Sequence, residues 1–392
     1  MPAIPLVNIH SYEHYVHDLD RAVEFYRHVL GFEVIGRSHP AAEVLQGVRR
    51  LVLSASKAIN VIVSQSLSND SVVGRYLALH PEGMGCVNFR VSDIRQAISA
   101  LSKRGANIIY PPHTTYDRAA QFYQISIATP SANVRFRFID DSFYHGFGTA
   151  FVMEALPGEY LSPFGYEAID HITSNFLEME SFLLWLRDVM GFEQYWDIEF
   201  HTRDVNPAMA GGSGLNSTVM WHPASGIKFA NNEPKLPCFE NSQQSVFWQD
   251  NRGAGIQHIA LRVPNIVPVI RAMRRKGGLF LPVPEVYYAS VMKRVREAGF
   301  KGRLEERLKT LAKLGILVDG SAEGYLLQIF MQELNKQMAF DEAGPFFYEI
   351  IQRRGERGFG AGNFRALFEA IENDQKARGV ISEARRIPED LV

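Results

Sequence analysis

Two stretches decide the fold: HYVHDLDRAVEFYRHVLGFEV, from His14 to Val34, and DHITSNFLEMESFLLWLRDVMGFEQY, from Asp170 to Tyr195. Each reads as a short strand carrying a histidine, then an amphipathic helix, then a Gly-Phe pair that ends the helix and opens a second strand. A second pair answers the first, GMGCVNFRVSDIRQAISALSKRGA (83–106) and GAGIQHIALRVPNIVPVIRAMRRKGG (253–278). In both, a GxG turn precedes a strand, and a helix with apolar residues at helical spacing follows. Matched stretches in the same order mark a duplicated unit of mixed structure. The expected class is α+β, in two modules. Pro and Gly in ALPGEYLSPFGYEAI (155–169) interrupt any periodic pattern, which places the halves at about 1–152 and 153–392.

Composition narrows the function. At about 150 residues per domain, 392 residues predict two to three domains. Apolar residues at 46% and charged residues at 21% exclude disorder as the main state. Lys and Arg total 41 against 43 Asp and Glu, so no basic excess exists to neutralise a phosphate backbone. Cys86 and Cys238 make no disulfide framework and neither sits in a CxxC pair, which fits a reducing compartment. The first twenty residues do not read as a secretory signal, and no apolar run approaches the roughly 18–20 residues that span a bilayer. The expectation is a cytoplasmic small-molecule enzyme with no nucleic-acid or membrane partner.

Several common chemistries are absent. There is no GxSxG elbow, no HExxH, and no zinc-type Cys/His spacing. GFGAG (358–362) lacks the GK[ST] ending of a phosphate loop. In VMKRVREAGFKGRLEERLKTLAKLG (291–315) the charges alternate in sign, which predicts a charged helical stretch with a solvated face. His10, His14 and His17 crowd together, but His14 and His17 have opposite strand parity and cannot share one face.

Three isolated positions say more. His171 in AIDHITSN, His258 in GIQHIALRV and Glu349 in PFFYEIIQR each interrupt an apolar, strand-like run. An ionisable group there needs a partner or a metal. Singly, each is equally read as a satisfied core residue. Together, two imidazoles and one carboxylate are the facial donor set of non-haem Fe(II) oxygenases, which leaves coordination positions open.

At these residues the chain resembles the 4-hydroxyphenylpyruvate dioxygenases of the vicinal oxygen chelate superfamily. The matching motifs are DHIT (170–173), FHTRDV (200–205), GLNSTVM (214–220), NEP (232–234) and GAGIQHIAL (253–261). GILVD (315–319), GYLLQIF (324–330), FFYEIIQR (346–353) and GFGAGNFRALFEAIE (358–372) complete the set. The first half resembles the family only in outline, as a non-catalytic module would. Laid on its glycines, 83–91 places Asn88 at the position of His258, so only the second module is expected to bind metal.

The resemblance implies paired βαβββ units forming half-open barrels, with a C-terminal gating helix. It implies Fe(II) held by His171, His258 and Glu349. Gln243, Gln257, Gln328, Asn363 and Phe364 match positions that act on the reacting substrate, and Ser217, Asn232, Phe330 and Phe359 match its binding pocket. The glutamines are expected to orient substrate rather than to hold iron. Phe364, Leu367, Phe368 and Ile371 form one helical stripe, which alone reads as a cap and by resemblance as a lid. The implied reaction takes 4-hydroxyphenylpyruvate and O2 to homogentisate and CO2, in a homodimer or homotetramer; 4-hydroxymandelate synthase, acting on the same substrate, or a related arylpyruvate dioxygenase is the alternative. Three departures from the family bear on substrate and product: Ala230 where Pro is usual, KLPCFENSQQ (235–244) in place of a lysine-rich run, and Met331 in place of a small hydroxyl residue.

Overall fold

The computed structural model describes residues 3–109, 115–117, 122–131, 133–142, 146–201, 214–235, 242–283, 285–360 and 362–363. The first half runs β1 (Leu6–Val16), α1 (Leu19–His28), β2 (Glu33–Ser38), α2 (Pro40–Gln46), β3 (Val48–Ser56) and β4 (Ile59–Ser66). It continues through α3 (Val72–Leu77), β5 (Gly83–Val91), α4 (Ile94–Lys103), β6 (Ile108–Ile109), β7 (Thr115–Asp117), β8 (Phe122–Ala128), β9 (Arg135–Asp140) and β10 (Phe151–Met153). The second half runs β11 (Ala168–Asn175), α5 (Glu180–Asp188), β12 (Glu193–His201), β13 (Gly214–Trp221), β14 (Lys228–Lys235) and α6 (Gln243–Asp250). After it come β15 (Gly255–Arg262), α7 (Ile266–Arg275), α8 (Glu285–Glu297), α9 (Leu308–Leu314), β16 (Leu317–Ser321), β17 (Gly324–Phe330), α10 (Leu334–Gln337) and β18 (Phe347–Arg354).

The echo seen in the sequence is an echo of topology. In the second sheet, of order β12-β13-β14-β11-β15-β18-β17-β16, β11 pairs in parallel with β14 and β15 with β18. The first sheet repeats this: β1 is parallel to β4, β5 to β9, and β1 and β5 meet antiparallel as β11 and β15 do. Each sheet is two βαβββ units curled into a half-open barrel. β10 pairs with β2, so the division expected at 152/153 falls within the last strand of the first sheet.

Local chemistry sets these elements. α1 starts where the Asp18 carboxylate accepts the Arg21 N–H, and it buries Leu19, Ala22, Phe25 and Tyr26 on one stripe. Asp93 caps α4 in the same way through the N–H groups of Arg95 and Gln96. The charged stretch 291–315 is not one helix. α8 stops after Glu297, because Gly299 at φ +98° turns the chain and the Phe300 N–H closes on the Val295 carbonyl.

One core runs through both modules. Across the seam, Phe229 of the second sheet meets Phe89 and Phe136 of the first at ring distances of 6.3 and 5.5 Å. The Tyr348 hydroxyl lies 2.8 Å from that of Tyr26 and 3.1 Å from that of Tyr12, and Tyr26 in turn lies 3.1 Å from His14 Nδ1. Among the described residues no helix is long and apolar enough to cross a membrane. The tail helix expected over 364–379 lies outside the described residues.

Candidate metal centre

Three strands bring the predicted ligands together. β11 carries His171, β15 carries His258 and β18 carries Glu349; Ala260 of β15 sits between the first and the third in register, facing His171 on one side and Glu349 on the other. Strand alternation turns Glu349 inward and its neighbour Tyr348 out to the seam. Glu349 Oε2 lies 3.3 Å from His171 Nε2 and 3.4 Å from His258 Nε2. These lengths approach the edge of about 3 Å expected for two donors at right angles about 2.1 Å from one cation. Among the described residues, this is the group of three whose ligand atoms lie within 4.8 Å of one another and could hold a metal ion.

The donor chemistry fits a metal. Asp170 is acceptor-only, so its Oδ1, 3.0 Å from His171 Nδ1, fixes the proton there and leaves Nε2 free to ligate. Gln257 Oε1 does the same at 3.1 Å from His258 Nδ1. Arg353 grips Asp170 through Nε and Nη2, both at 2.7 Å, and its Nη1 donates to the carbonyls of Glu356 and Gly358. Burial would raise the Glu349 carboxyl, but the two imidazoles, His171 foremost, outweigh it and bring it down to about 2. Burial alone likewise depresses His171, and Glu349 and Asp170 reverse the sign, so it ends above its usual value. His258 has burial as its main influence and stays below. A divalent cation needs the carboxylate charged and both imidazoles neutral, so its binding would displace the proton that Glu349 and Asp170 favour on His171.

The second Glu349 oxygen is held from the tail side. Gln328 Nε2 donates to Oε1 at 2.8 Å, Asn363 Nδ2 donates to Gln328 Oε1 at 2.9 Å, and the Tyr287 hydroxyl lies 2.6 Å from Asn363 Oδ1. Gly360 passes so close that a Cβ there would come within 2.8 Å of Gln328 Oε1. Phe359 closes the other side, its ring 5.0 Å from that of His171 and stacked on Trp196.

The cavity at the cluster is about 20 Å3 and is lined by the three candidate ligands with Asn232, Gln243, Gln257, Gln328, Phe330 and Phe359. Ser217 stands one strand over, opposite Asn232 in register, and does not line it. Asn363 reaches the site through Gln328, and Phe364 lies outside the described residues. On the cavity wall, Asn232 Oδ1 and Gln244 Oε1 are buried without a partner among the described residues, as groups awaiting a polar ligand would be; Ser217 Oγ, off the wall, is likewise without one. Gln244 also lines the cavity and escaped sequence reasoning; its adjacency to Gln243 at a helix start was the available signal. Arg353 was missed too, although it shares strand parity with Glu349.

A family model described as the Glyoxalase/Bleomycin resistance protein/Dioxygenase superfamily matches residues 8–138, within the module that holds none of the three ligands. The 4-hydroxyphenylpyruvate dioxygenase of Sus scrofa is 31% identical over 395 residues, covering 96% of this chain and 93% of its own. That of Dictyostelium discoideum is 31% identical over 334 residues, covering 84% and 87%. The chain belongs to the 4-hydroxyphenylpyruvate dioxygenase family. A solved triple mutant of 4-hydroxymandelate synthase from Streptomyces coelicolor shares the fold, with a TM-score of 0.76 at 23% identity over 95% of this chain and all of that one.

As a 4-hydroxyphenylpyruvate dioxygenase-like non-haem iron oxygenase, the chain shows where two of its departures sit. Ala230 is buried against Val219 and Phe359, on the wall of the metal cavity. Met331 belongs to the main core and bridges to Phe280, so it does not line that cavity. Residues 236–241 of the third departure lie outside the described residues.

Proposed function

We propose that the chain converts 4-hydroxyphenylpyruvate and O2 to homogentisate and CO2, with Fe(II) held by His171, His258 and Glu349. The convergence of these three donors in a chain of this family carries the reading. Bound iron would supply the oxygen-activating chemistry and the anchor for the 2-oxo acid. Asp170 and Gln257 keep both imidazole protons on Nδ1, and Gln328 steadies the carboxylate. Asn232, Gln243 and Gln244 offer neutral hydrogen bonds to a phenol and a 2-oxo acid without adding charge. Phe330 and Phe359 exclude water. With about 20 Å3 of free space, entry of an aryl 2-oxo acid requires side chains to swing aside, and Phe359, at the end of the tail turn, is placed to do so.

The test is anaerobic loading with Fe(II), then 4-hydroxyphenylpyruvate and O2. Homogentisate and 4-hydroxymandelate are isomers, so retention time and the ring-proton pattern identify the product rather than mass. Homogentisate supports the reading; 4-hydroxymandelate replaces it with benzylic attack. Phe364→Ile is expected to raise the hydroxymandelate share or to uncouple oxygen uptake from ring product. An unchanged ratio and coupling would remove Phe364 from product control.

A further inference from the structure

The first module carries a cavity of about 930 Å3, far larger than the space at the ligand cluster. The duplication tells what it is. With Asn88 laid on His258, Arg90 matches Ala260; Arg90 pairs with Ile139 and Ala260 with Glu349, so Ile139 stands in the place of the carboxylate ligand. Gln124 pairs with Ile139 as Phe330 pairs with Glu349. Ser11 faces Asn88 as Thr173 faces His258, and one residue further Tyr12 pairs with Val61 as Ser174 pairs with Asn231. Ile62 therefore matches Asn232. Ile62, Gln124 and Ile139 all line the cavity, which thus overlaps the first module's counterpart of the metal centre, with Asn88 itself off the lining.

Its chemistry has been inverted. Where the second module has Phe347 stacked on His258, the first has Arg137. Arg137 and Arg50 both line the cavity, with side chains 14% and 10% exposed. They share a single carboxylate: Arg50 Nε donates to Glu13 Oε1 at 3.0 Å, and Arg137 Nη2 lies 3.4 Å from Glu13 Oε2. Glu13 is fully buried, and although burial would raise it, Arg137 and Arg50 bring it down to about 2, so it is charged at neutral pH. Two guanidiniums to one carboxylate leave the floor positive, in a place where unbalanced charge is costly. The wall beside this floor carries Ile62, Ile139, Phe122, Phe147 and Phe151 with Gln124 among them, and the one further Asp and Arg of the lining, Asp70 and Arg75, offset each other in charge.

We propose that this cavity binds an aromatic monocarboxylate without a metal, its carboxylate on Arg137 and Arg50 and its ring against Phe122 and Phe147. A planar carboxylate matches the guanidinium fork, and the volume suits a small-molecule site. One negative charge balances the floor. No 2-oxo group is required, because no cation is there to be chelated.

The experiment is a fluorine NMR titration of the iron-loaded full chain with 4-(trifluoromethyl)benzoate, with 4-(trifluoromethyl)benzamide as the uncharged twin. The acid is expected to bind saturably and the amide at least about tenfold more weakly. Arg137→Met should weaken the acid by about tenfold or more, and Glu13→Gln should tighten it. Gln124→Glu, nearly isosteric and adding the opposing charge to the wall, gives the same weakening in a variant that keeps the buried ion pair. The site does not exist if the acid fails to saturate, if acid and amide bind alike, or if Arg137→Met and Gln124→Glu both leave binding unchanged. Binding that falls in Gln328→Ala and in neither of those variants also overturns the proposal, since it puts the probe at the metal centre.

Discussion

Glu349 Oε2 faces both His171 and His258, and it is the anionic donor of the cluster. Glu349→Ala is expected to strip the metal and abolish substrate-dependent oxygen uptake with the fold retained, as metal analysis beside circular dichroism would show. Asp170→Asn removes the charged acceptor of His171 and one side of the Arg353 clamp. Loss of such an orienting partner costs roughly 10–100-fold in metal affinity, measurable by competition with a chelator. Gln257 carries a revised expectation: because its Oε1 orients His258, Gln257→Ala should weaken metal binding as well as substrate binding, where Gln243→Ala should spare the metal. The three candidate ligands stood out in the sequence because an ionisable side chain is conspicuous in an apolar strand, and the family resemblance, not the pattern alone, gave them their expected role. Asp170 and Arg353 were not, because a charged pair at strand ends looks like ordinary surface until the fold buries it.

At the scale of elements, β17, α8 and the tail turn meet in one line of hydrogen bonds from Glu349 through Gln328 and Asn363 to Tyr287, whose hydroxyl also accepts from Arg294 Nη2 at 2.7 Å. Tyr287→Phe leaves the Asn363 amide and the Arg294 guanidinium short of a partner. Thermal unfolding should report a loss of about 1–3 kcal/mol, with slower turnover where Asn363 no longer holds Gln328. β1 offers a pH test through Glu13. Its folded pKa lies near 2 against about 4.5 as the unperturbed value, so the stabilisation is full above the upper value and drains away as pH falls toward the lower. The stability gap between wild type and Glu13→Gln should therefore shrink over that interval; a constant gap would mean Glu13 is not the charged partner of Arg50 and Arg137. A short, mostly apolar run such as β15 and a helical stripe such as that of α7 could be read directly. The break between α8 and α9 was hidden because alternating charges look the same in one long helix or two short ones, and only Gly299 and Gly302 mark it.

Over the whole molecule, the duplication was plain in the sequence but the seam between its copies was not. Tyr12, Tyr26 and Tyr348 occupy strand and helix positions where an aromatic would pack as well on its own helix as on another module. Tyr348→Phe is expected to cost about 1–3 kcal/mol by leaving the Tyr12 and Tyr26 hydroxyls short of a buried partner. With one core common to both halves, calorimetry should show a single transition; two separated transitions would contradict it. The seam has a consequence for how such a chain can change over generations. Glu349 and Tyr348 are adjacent on one strand, so the copy that supplies no ligand serves as the mould in which the ligand-bearing strand is cast. Substitutions at Tyr12 or Tyr26 are expected to be felt at Glu349, whereas those around Ile139 act on the first module's own cavity. The copy without the candidate ligands thus answers to two different demands, one from its own cavity on the concave side and one from the seam on its back.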